Sequence, residues 1–331
     1  MKGKFYILSV DGGGFRGAYS AYLLKRMEDE WAIDWRKQFD MFAGTSTGSI
    51  IAAGLACDLS ANDLFTLYSQ HGKEIFRKRW FAKFDLFKLS SLFASRYNSK
   101  KLKEVLFQQI GNTCLGDVNT PLIIPSVDIG SGQVHVFKSA YDGAFVRDAK
   151  VQVANAVLAS CAAPTYFDPY AVEPYSLVDG GLWANNPSLV AAIDAKRRLG
   201  INLDDIRILS IGTGKSKKYY PRKSGWFKDI FLNSWLGWGF ATRWGNNKFI
   251  DILLNLQADT AHNMLRLLFQ KDNNEPDQLL RINFESDRPL PMDSPFKLDD
   301  WKRQADRDFT YNSNVIKTFL NIKLSGDKHV N

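Results

Sequence analysis

Residues 39–59 read FDMFAGTSTGSIIAAGLACDL, and their order decides the fold class. Phe39 to Ala43 is a short apolar run with strand character, broken by Gly44. From Ser49 to Leu59 the chain resumes as a helix rich in Ile and Ala. Between them stands Gly44-Thr45-Ser46-Thr47-Gly48, a G-x-S-x-G pentapeptide in a strand–turn–helix setting. That setting is the one a nucleophile elbow needs: the glycines let the backbone turn sharply and lift the Ser46 hydroxyl above the sheet edge. The helix that follows aims its N-terminal N–H groups and the positive end of its dipole at the place where an oxyanion would form.

Upstream, Phe5 to Val10 reads as a buried first strand that halts at Asp11-Gly12-Gly13-Gly14-Phe15-Arg16-Gly17. Three consecutive glycines leave backbone N–H groups unshielded, so the loop can form an anion-binding nest, and Arg16 adds positive charge beside it. Preorganised donors of this kind are what an acyl-transfer transition state requires. Gly17 to about Trp31 then carries Leu23, Leu24 and Met27 at helical spacing. The same loop also satisfies a dinucleotide fingerprint through Gly12, Gly14 and Gly17, which is the alternative reading. It expects an acid about 20 residues on, at the end of the next strand. Asp40 opens that strand instead, Asp34 precedes it, and its far end is occupied by the serine elbow.

Downstream, Leu122 to Val127 and Gln133 to Phe137 read as two strands joined across Asp128 to Gly132, a hairpin spacing that makes the sheet mixed. A helix is expected over Asp148 to Ser160. Leu177-Val178-Asp179-Gly180-Gly181 is a short strand ending in an acid and two glycines. Asp-Gly is a common turn pair, but a carboxylate at such a loop also stands where catalytic residues gather in α/β sheets. Pro187 sits at the first turn of a helix that ends at Gly200, and Ile206 to Ile211 is a further buried strand. The last third reads as helices over Phe249–Phe269 and Lys297–Leu320, with one strand near Leu280–Phe284. Strand and helix alternate, so the expectation is an α/β protein with a mostly parallel sheet and helices on both faces. No repeat or convincing linker divides it, and one domain over residues 1–331 is expected.

Of the four histidines, His71, His135, His262 and His329, none stands at a glycine-punctuated loop after a strand. Each reads as an ordinary surface or core residue. No metal-ligand spacing occurs, and neither a metal nor a cofactor is expected. Cys57, Cys114 and Cys161 are odd in number and far apart, which disfavours a disulfide framework and suits a reducing compartment. The N-terminal apolar run is too short for a signal peptide, and no stretch approaches the roughly 18 uncharged residues of a spanning helix, so a cytosolic protein is expected. A formal net charge of +8 permits attraction to anionic lipid or nucleic acid without choosing between them. No motif supports binding of a nucleic-acid polymer. Two runs combine basic and aromatic residues: Phe76 to Lys88, and Lys215 to Lys228 continuing through Trp235, Trp238 and Trp244. Such composition suits either a surface resting in headgroups or a cap over an active site.

Taken together, Asp11–Gly17, Gly44–Gly48 and Asp179–Gly181 resemble, in order and residue for residue, the DGGGxRG, GxSxG and DGG motifs of the patatin-like phospholipases. Ser160-Cys161-Ala162-Ala163-Pro164-Thr165-Tyr166-Phe167 is similar to a fourth block of that family. The likeness covers roughly residues 4–215; the helical region 225–322 is less diagnostic. It implies a three-layer α/β/α fold with a mostly parallel central sheet and a helical C-terminal part. It also implies a serine–aspartate dyad: Ser46 attacks an ester carbonyl, Asp179 accepts its proton, and Gly12, Gly13 and Gly14, with Arg16 nearby, hold the oxyanion. Gly44 and Gly48 would shape the elbow. The implied substrate is the acyl ester of a membrane glycerophospholipid, met by peripheral membrane contact. An ordinary Asp pKa of about 3.9 makes a poor base, so modest turnover and a decline at acid pH are expected. Residues 200–270 also resemble a bacterial subgroup, the CapV-like anti-phage effectors, which implies a cyclic-oligonucleotide activator. A homo-oligomer is compatible with the sequence, which fixes no oligomeric state.

Overall fold

The computed structural model describes residues 3–77, 95–217, 246–270, 277–288 and 290–322. The Trp-rich segment 226–244, most of the basic-aromatic run 76–88 and His329 lie outside the described residues. In chain order the strands are β1 (Phe5–Val10), β2 (Met41–Gly44), β3 (Leu122–Asp128), β4 (Gln133–Lys138), β5 (Tyr170–Val172), β6 (Tyr175–Asp179), β7 (Ile206–Ile211), β8 (Lys215–Ser216), β9 (Leu279–Ile282) and β10 (Glu285–Ser286). The helices are α1 (Gly17–Trp31), α2 (Trp35–Gln38), α3 (Thr47–Ala56), α4 (Ala61–Ile75), α5 (Lys100–Ile110), α6 (Val153–Ser160), α7 (Gly181–Ala184), α8 (Ser188–Arg198), α9 (Asn246–Phe269) and α10 (Leu298–Phe319).

The main sheet runs β5-β6-β3-β2-β1-β7-β9, with β4 also pairing β3. From β3 through β9 neighbouring strands are parallel; β4 and β6 pair β3 antiparallel, as the hairpin spacing predicts. Side chains alternate across the sheet. Leu8 and Val10 of β1 and Leu209 and Ile211 of β7 enter one buried cluster, against α1, α3, α4 and α10. Ile7, Ile206 and Ile208 point the other way, onto the alanines of α8 and Leu265 and Phe269 of α9. Helices therefore cover both faces, giving the expected three-layer α/β/α arrangement.

Several boundaries differ from the sequence reading. The helix expected from Asp148 begins only at Val153, because Asp148 is taken up by Arg147 and His135 and Val151 turns back onto Asp148. α3 starts at Thr47, closer to the serine than Ser49, and ends before Asp58, whose φ is 73°. α4 begins with a capping box between Ser60 and Asp63 that the sequence reading passed over.

Candidate active site

Sheet register brings the separated motifs level. β1 and β2 run parallel with Val10 opposite Gly44, so the glycine loop and the elbow leave one sheet edge side by side. On the other flank, Leu122 of β3 pairs with Phe42, and Ser126 of β3 pairs with Asp179 of β6. Ser126 lies as far beyond Leu122 as Ser46 lies beyond Phe42. The serine and the carboxylate thus meet at one level across β3.

Ser46 has φ 54° and ψ −126°, an unfavourable conformation for a side chain larger than glycine and costing on the order of 1–3 kcal/mol. Its surroundings hold it there. The Ser46 N–H donates to the Ser160 hydroxyl at 2.9 Å, and that hydroxyl donates to the Pro125 carbonyl at 2.6 Å. Ser49 donates to the Ser46 carbonyl at 2.6 Å, and Thr45 to the Ala184 carbonyl at 2.6 Å. The turn closes so tightly that a Cβ on Gly48 would stand 2.2 Å from the Val10 carbonyl oxygen, and one on Gly44 2.1 Å from that of Gly48. Larger residues do not fit at either position.

Asp179 is only 6% exposed. It accepts a hydrogen bond at 2.7 Å from the Gly181 N–H, and the Ser46 hydroxyl stands near enough to favour its ionised form. Burial pushes its pKa up to about 6; those two groups pull the other way and only limit the rise. A hydroxyl beside a desolvated carboxylate has a ready acceptor for its proton. Cys161, buried beside both groups, has its thiol pushed up by desolvation and by the Asp179 charge, which favours its neutral form.

The glycine loop is anchored at most of its polar groups. Asp11 N–H donates to the Ile211 carbonyl at 2.9 Å, Gly12 N–H to the Asn185 carbonyl at 3.0 Å, and Phe15 N–H to the Met292 carbonyl at 2.7 Å. That leaves the N–H groups of Gly13 and Gly14 without a partner among the described residues, both on the wall of the cleft that holds Ser46. Gly14 has φ 59° and lies where a Cβ would press to 2.4 Å from the Met292 carbonyl oxygen. The Arg16 side chain is turned into the protein: Nε donates to the Gly13 carbonyl at 3.2 Å, Nη1 to the Leu290 carbonyl at 3.3 Å, and Nη2 lies 3.5 Å from Asp251 of α9. The Gly12 N–H, near the serine, and the Arg16 side chain are thus already engaged elsewhere.

The cleft encloses about 820 Å³, counting its open mouth. Apart from Ser46, Asp179 and the glycine backbone, its walls are largely apolar, with Ile50, Leu67, Phe76, Phe167, Ile250 and Leu254 among them. No histidine lines it among the described residues; His135 is buried on β4 at 3.3 Å from Asp148, and His71 lies on α4 at 3.8 Å from Glu74. Both acids of the dinucleotide alternative are committed elsewhere: Asp34 caps α2, and Asp40 accepts the Tyr6 N–H at 2.7 Å. Asn185 and Ser160 were missed as site residues by sequence reasoning. Ser160 stood in a quoted motif with no role attached, and nothing in chain order relates Asn185 to Gly12.

The sequence profile described as "Patatin-like phospholipase" matches residues 8–192. The chain is similar to a cGAMP-activated phospholipase of Escherichia coli, 35% identical over 64% of this chain and 63% of that protein. It is also similar to a cGAMP-activated phospholipase of Pseudomonas aeruginosa, 30% identical over 79% of this chain and 74% of the relative. A cUMP-AMP-activated phospholipase of Escherichia coli is 32% identical over 63% of this chain and 64% of its own length. The match thus spans a little under two thirds of the first and third of these relatives. On the profile match, which takes in both the elbow and Asp179, the chain belongs to the patatin-like phospholipase family.

Proposed function

We propose that this protein is a lipid acyl hydrolase working through a Ser46–Asp179 dyad on acyl esters of membrane glycerophospholipids. The observation that carries it is the Ser46 hydroxyl and the desolvated Asp179 carboxylate facing one apolar cleft, with the unpartnered N–H groups of Gly13 and Gly14 on the same wall. Ser46 Oγ attacks the ester carbonyl carbon while its proton passes to Asp179. The carbonyl π electrons move onto oxygen, and the oxyanion is held by Gly13 and Gly14 N–H. Collapse expels the alkoxide, which takes the proton from Asp179 and leaves as the lyso-lipid. Water then attacks the acyl-Ser46 carbonyl by the same route, with Asp179 again receiving the proton, and releases the fatty acid and free Ser46. Arg16 acts in this reading as a strut that holds the loop through Gly13, and Ser160 as a positioning residue for the strained serine.

The raised basicity of Asp179 answers the difficulty that an ordinary carboxylate is a weak base. Only its ionised form accepts the proton, so kcat/KM is expected to halve at pH about 6 and to fall about tenfold per unit below that. A carboxylate ionises with almost no enthalpy, so this limb should barely move with temperature. A limb that shifts strongly with temperature would indicate an imidazole base. Labelling with a fluorophosphonate tests the nucleophile directly. The wild type should label and Ser46→Ala should not; persistent labelling in Ser46→Ala would remove the assignment. Ser160→Ala, which leaves the Ser46 N–H and the Pro125 carbonyl unpaired, is expected to destabilise by about 1–3 kcal/mol and to lower kcat with KM unchanged.

The names of the relatives support a second element: activity switched on by a cyclic dinucleotide, as part of a defence response. Hydrolysis measured with and without cGAMP and cUMP-AMP checks it, and equal rates throughout would reject the switch. The helices α9 and α10 pack onto the motif-bearing core, α9 on α7 and α8 and α10 on α1. This supports treating residues 1–331 as one domain. No helix of the described residues is long and apolar enough to cross a membrane.

A further inference from the structure

α9 has the wrong outer face for a helix in water. Its inward positions keep helical spacing: Ile250, Leu254, Leu265 and Phe269 are all buried. The opposite side of such a helix should carry charged and polar residues. Instead Leu253, Leu256, Met264, Leu267 and Leu268 are exposed, with Leu256 at 56% and Leu267 at 64%. The other exposed positions of α9 from Phe249 to Phe269 are Thr260 and Asn263. None of them bears a charge. Scattered surface leucines are ordinary, but an uncharged apolar stripe along several helical turns marks an interaction surface.

Its position indicates the occupant. Leu182 of α7, which α9 packs against, is at once 44% exposed and part of the cleft wall. Leu254 faces the cleft and its neighbour Leu253 faces out. The exposed leucines of α9 and Leu182 of α7 therefore lie on the elements that wall the Ser46 cleft. An acyl chain moving from a bilayer to the serine needs an apolar path, whereas a specific protein interface is bounded by a polar rim. The chain's net charge of +8 favours approach to anionic headgroups.

We propose that the outer face of α9, from Leu253 to Leu268, beds in the interface of a lipid bilayer and sets the mouth of the Ser46 cleft against it. This rests on the lipid-hydrolase reading of that cleft. The test uses the full chain carrying Leu256→Asp and Leu267→Asp, neither of which lines the cleft. Co-sedimentation with vesicles of phosphatidylethanolamine and phosphatidylglycerol is read in a Ser46→Ala background, so no lipid is consumed. Hydrolysis of a soluble short-chain ester is read with Ser46 intact. Vesicle binding is expected to fall at least about tenfold while soluble-ester hydrolysis stays within about twofold. Binding that stays within about twofold of the parent overturns the proposal, as does a parent dimer that the substitutions dissolve while vesicle binding persists. If the Asp pair also loses soluble-ester turnover, Leu256→Gln with Leu267→Gln is read by the same criteria. Failure of the catalytic reading looks different: soluble-ester hydrolysis would survive Ser46→Ala, and the vesicle result would be unaffected.

Discussion

Asp179→Asn is expected to do two opposite things: lower kcat on a soluble ester by about 10²–10⁴-fold, and make the protein more stable. The first follows from removing the carboxylate that stands beside the Ser46 hydroxyl. Asparagine keeps the shape of the side chain but cannot take the proton. The second follows from burial. The folded-state pKa of about 6 lies above the ordinary carboxylate value of 3.8, so the folded protein holds this proton more tightly than the unfolded chain. Stability from this group is fully present below pH 3.8, and it is lost as the pH rises through about 6. Above that the ionised group costs the fold about 3 kcal/mol, the roughly two-unit shift taken at ~1.4 kcal/mol per unit. Denaturant melts at pH 8 should show Asp179→Asn more stable by about that amount, with the difference vanishing near pH 4. A variant that loses activity and is also less stable at pH 8 would mean that Asp179 is chiefly a structural group.

Arg281→Leu should produce the largest loss of stability of any substitution considered, about 3–5 kcal/mol. Arg281 of β9 reaches Asp11 with Nη1 at 3.2 Å and Nη2 at 2.6 Å, and Nη1 also donates to the Ser210 hydroxyl at 2.7 Å. Both side chains are nearly excluded from water, at 9% and 4% exposure. Removing the guanidinium leaves the Asp11 carboxyl buried without its counter-charge, and Asp11 is the residue that opens the glycine loop. The melting temperature should fall by about 10 °C, and turnover should fall with it, because Gly13 and Gly14 lose their anchor. Pairing Arg281→Leu with Asp11→Asn should recover much of the stability, since the buried charge is then gone. A double variant no more stable than Arg281→Leu alone would show that the contact contributes through packing instead.

How much of this was legible in the sequence differs from residue to residue. Ser46, Asp179 and the glycine loop could be read because each sits at the end of a short apolar strand, where periodicity and glycine punctuation coincide. The mixed sheet was readable from the short spacing between β3 and β4. Which glycine N–H groups remain unpartnered was not, because Gly12 is satisfied by Asn185, a contact between segments with no local signature. The destination of Arg16 was equally hidden: a cation beside a glycine loop reads as an anion ligand until Leu290 and Asp251 are seen to occupy it. The start of α6 was misplaced because Val151 and Ala154 fit a helical face, while tertiary pairing of Asp148 with Arg147 and His135 holds the preceding turn open. The apolar outer face of α9 could have been noticed in the sequence, since its leucines do not confine themselves to one stripe.

The proposed reacting pair is split between the turn that follows β2 and the end of β6, and β3 lies between them in the sheet. A nascent chain that has emerged no further than β5 carries the serine and its glycine cradle but has no base to work with. The proposed site can therefore assemble only late in synthesis, because the contacts that anchor its glycine loop come from Asn185, Ile211 and Met292, all beyond β6.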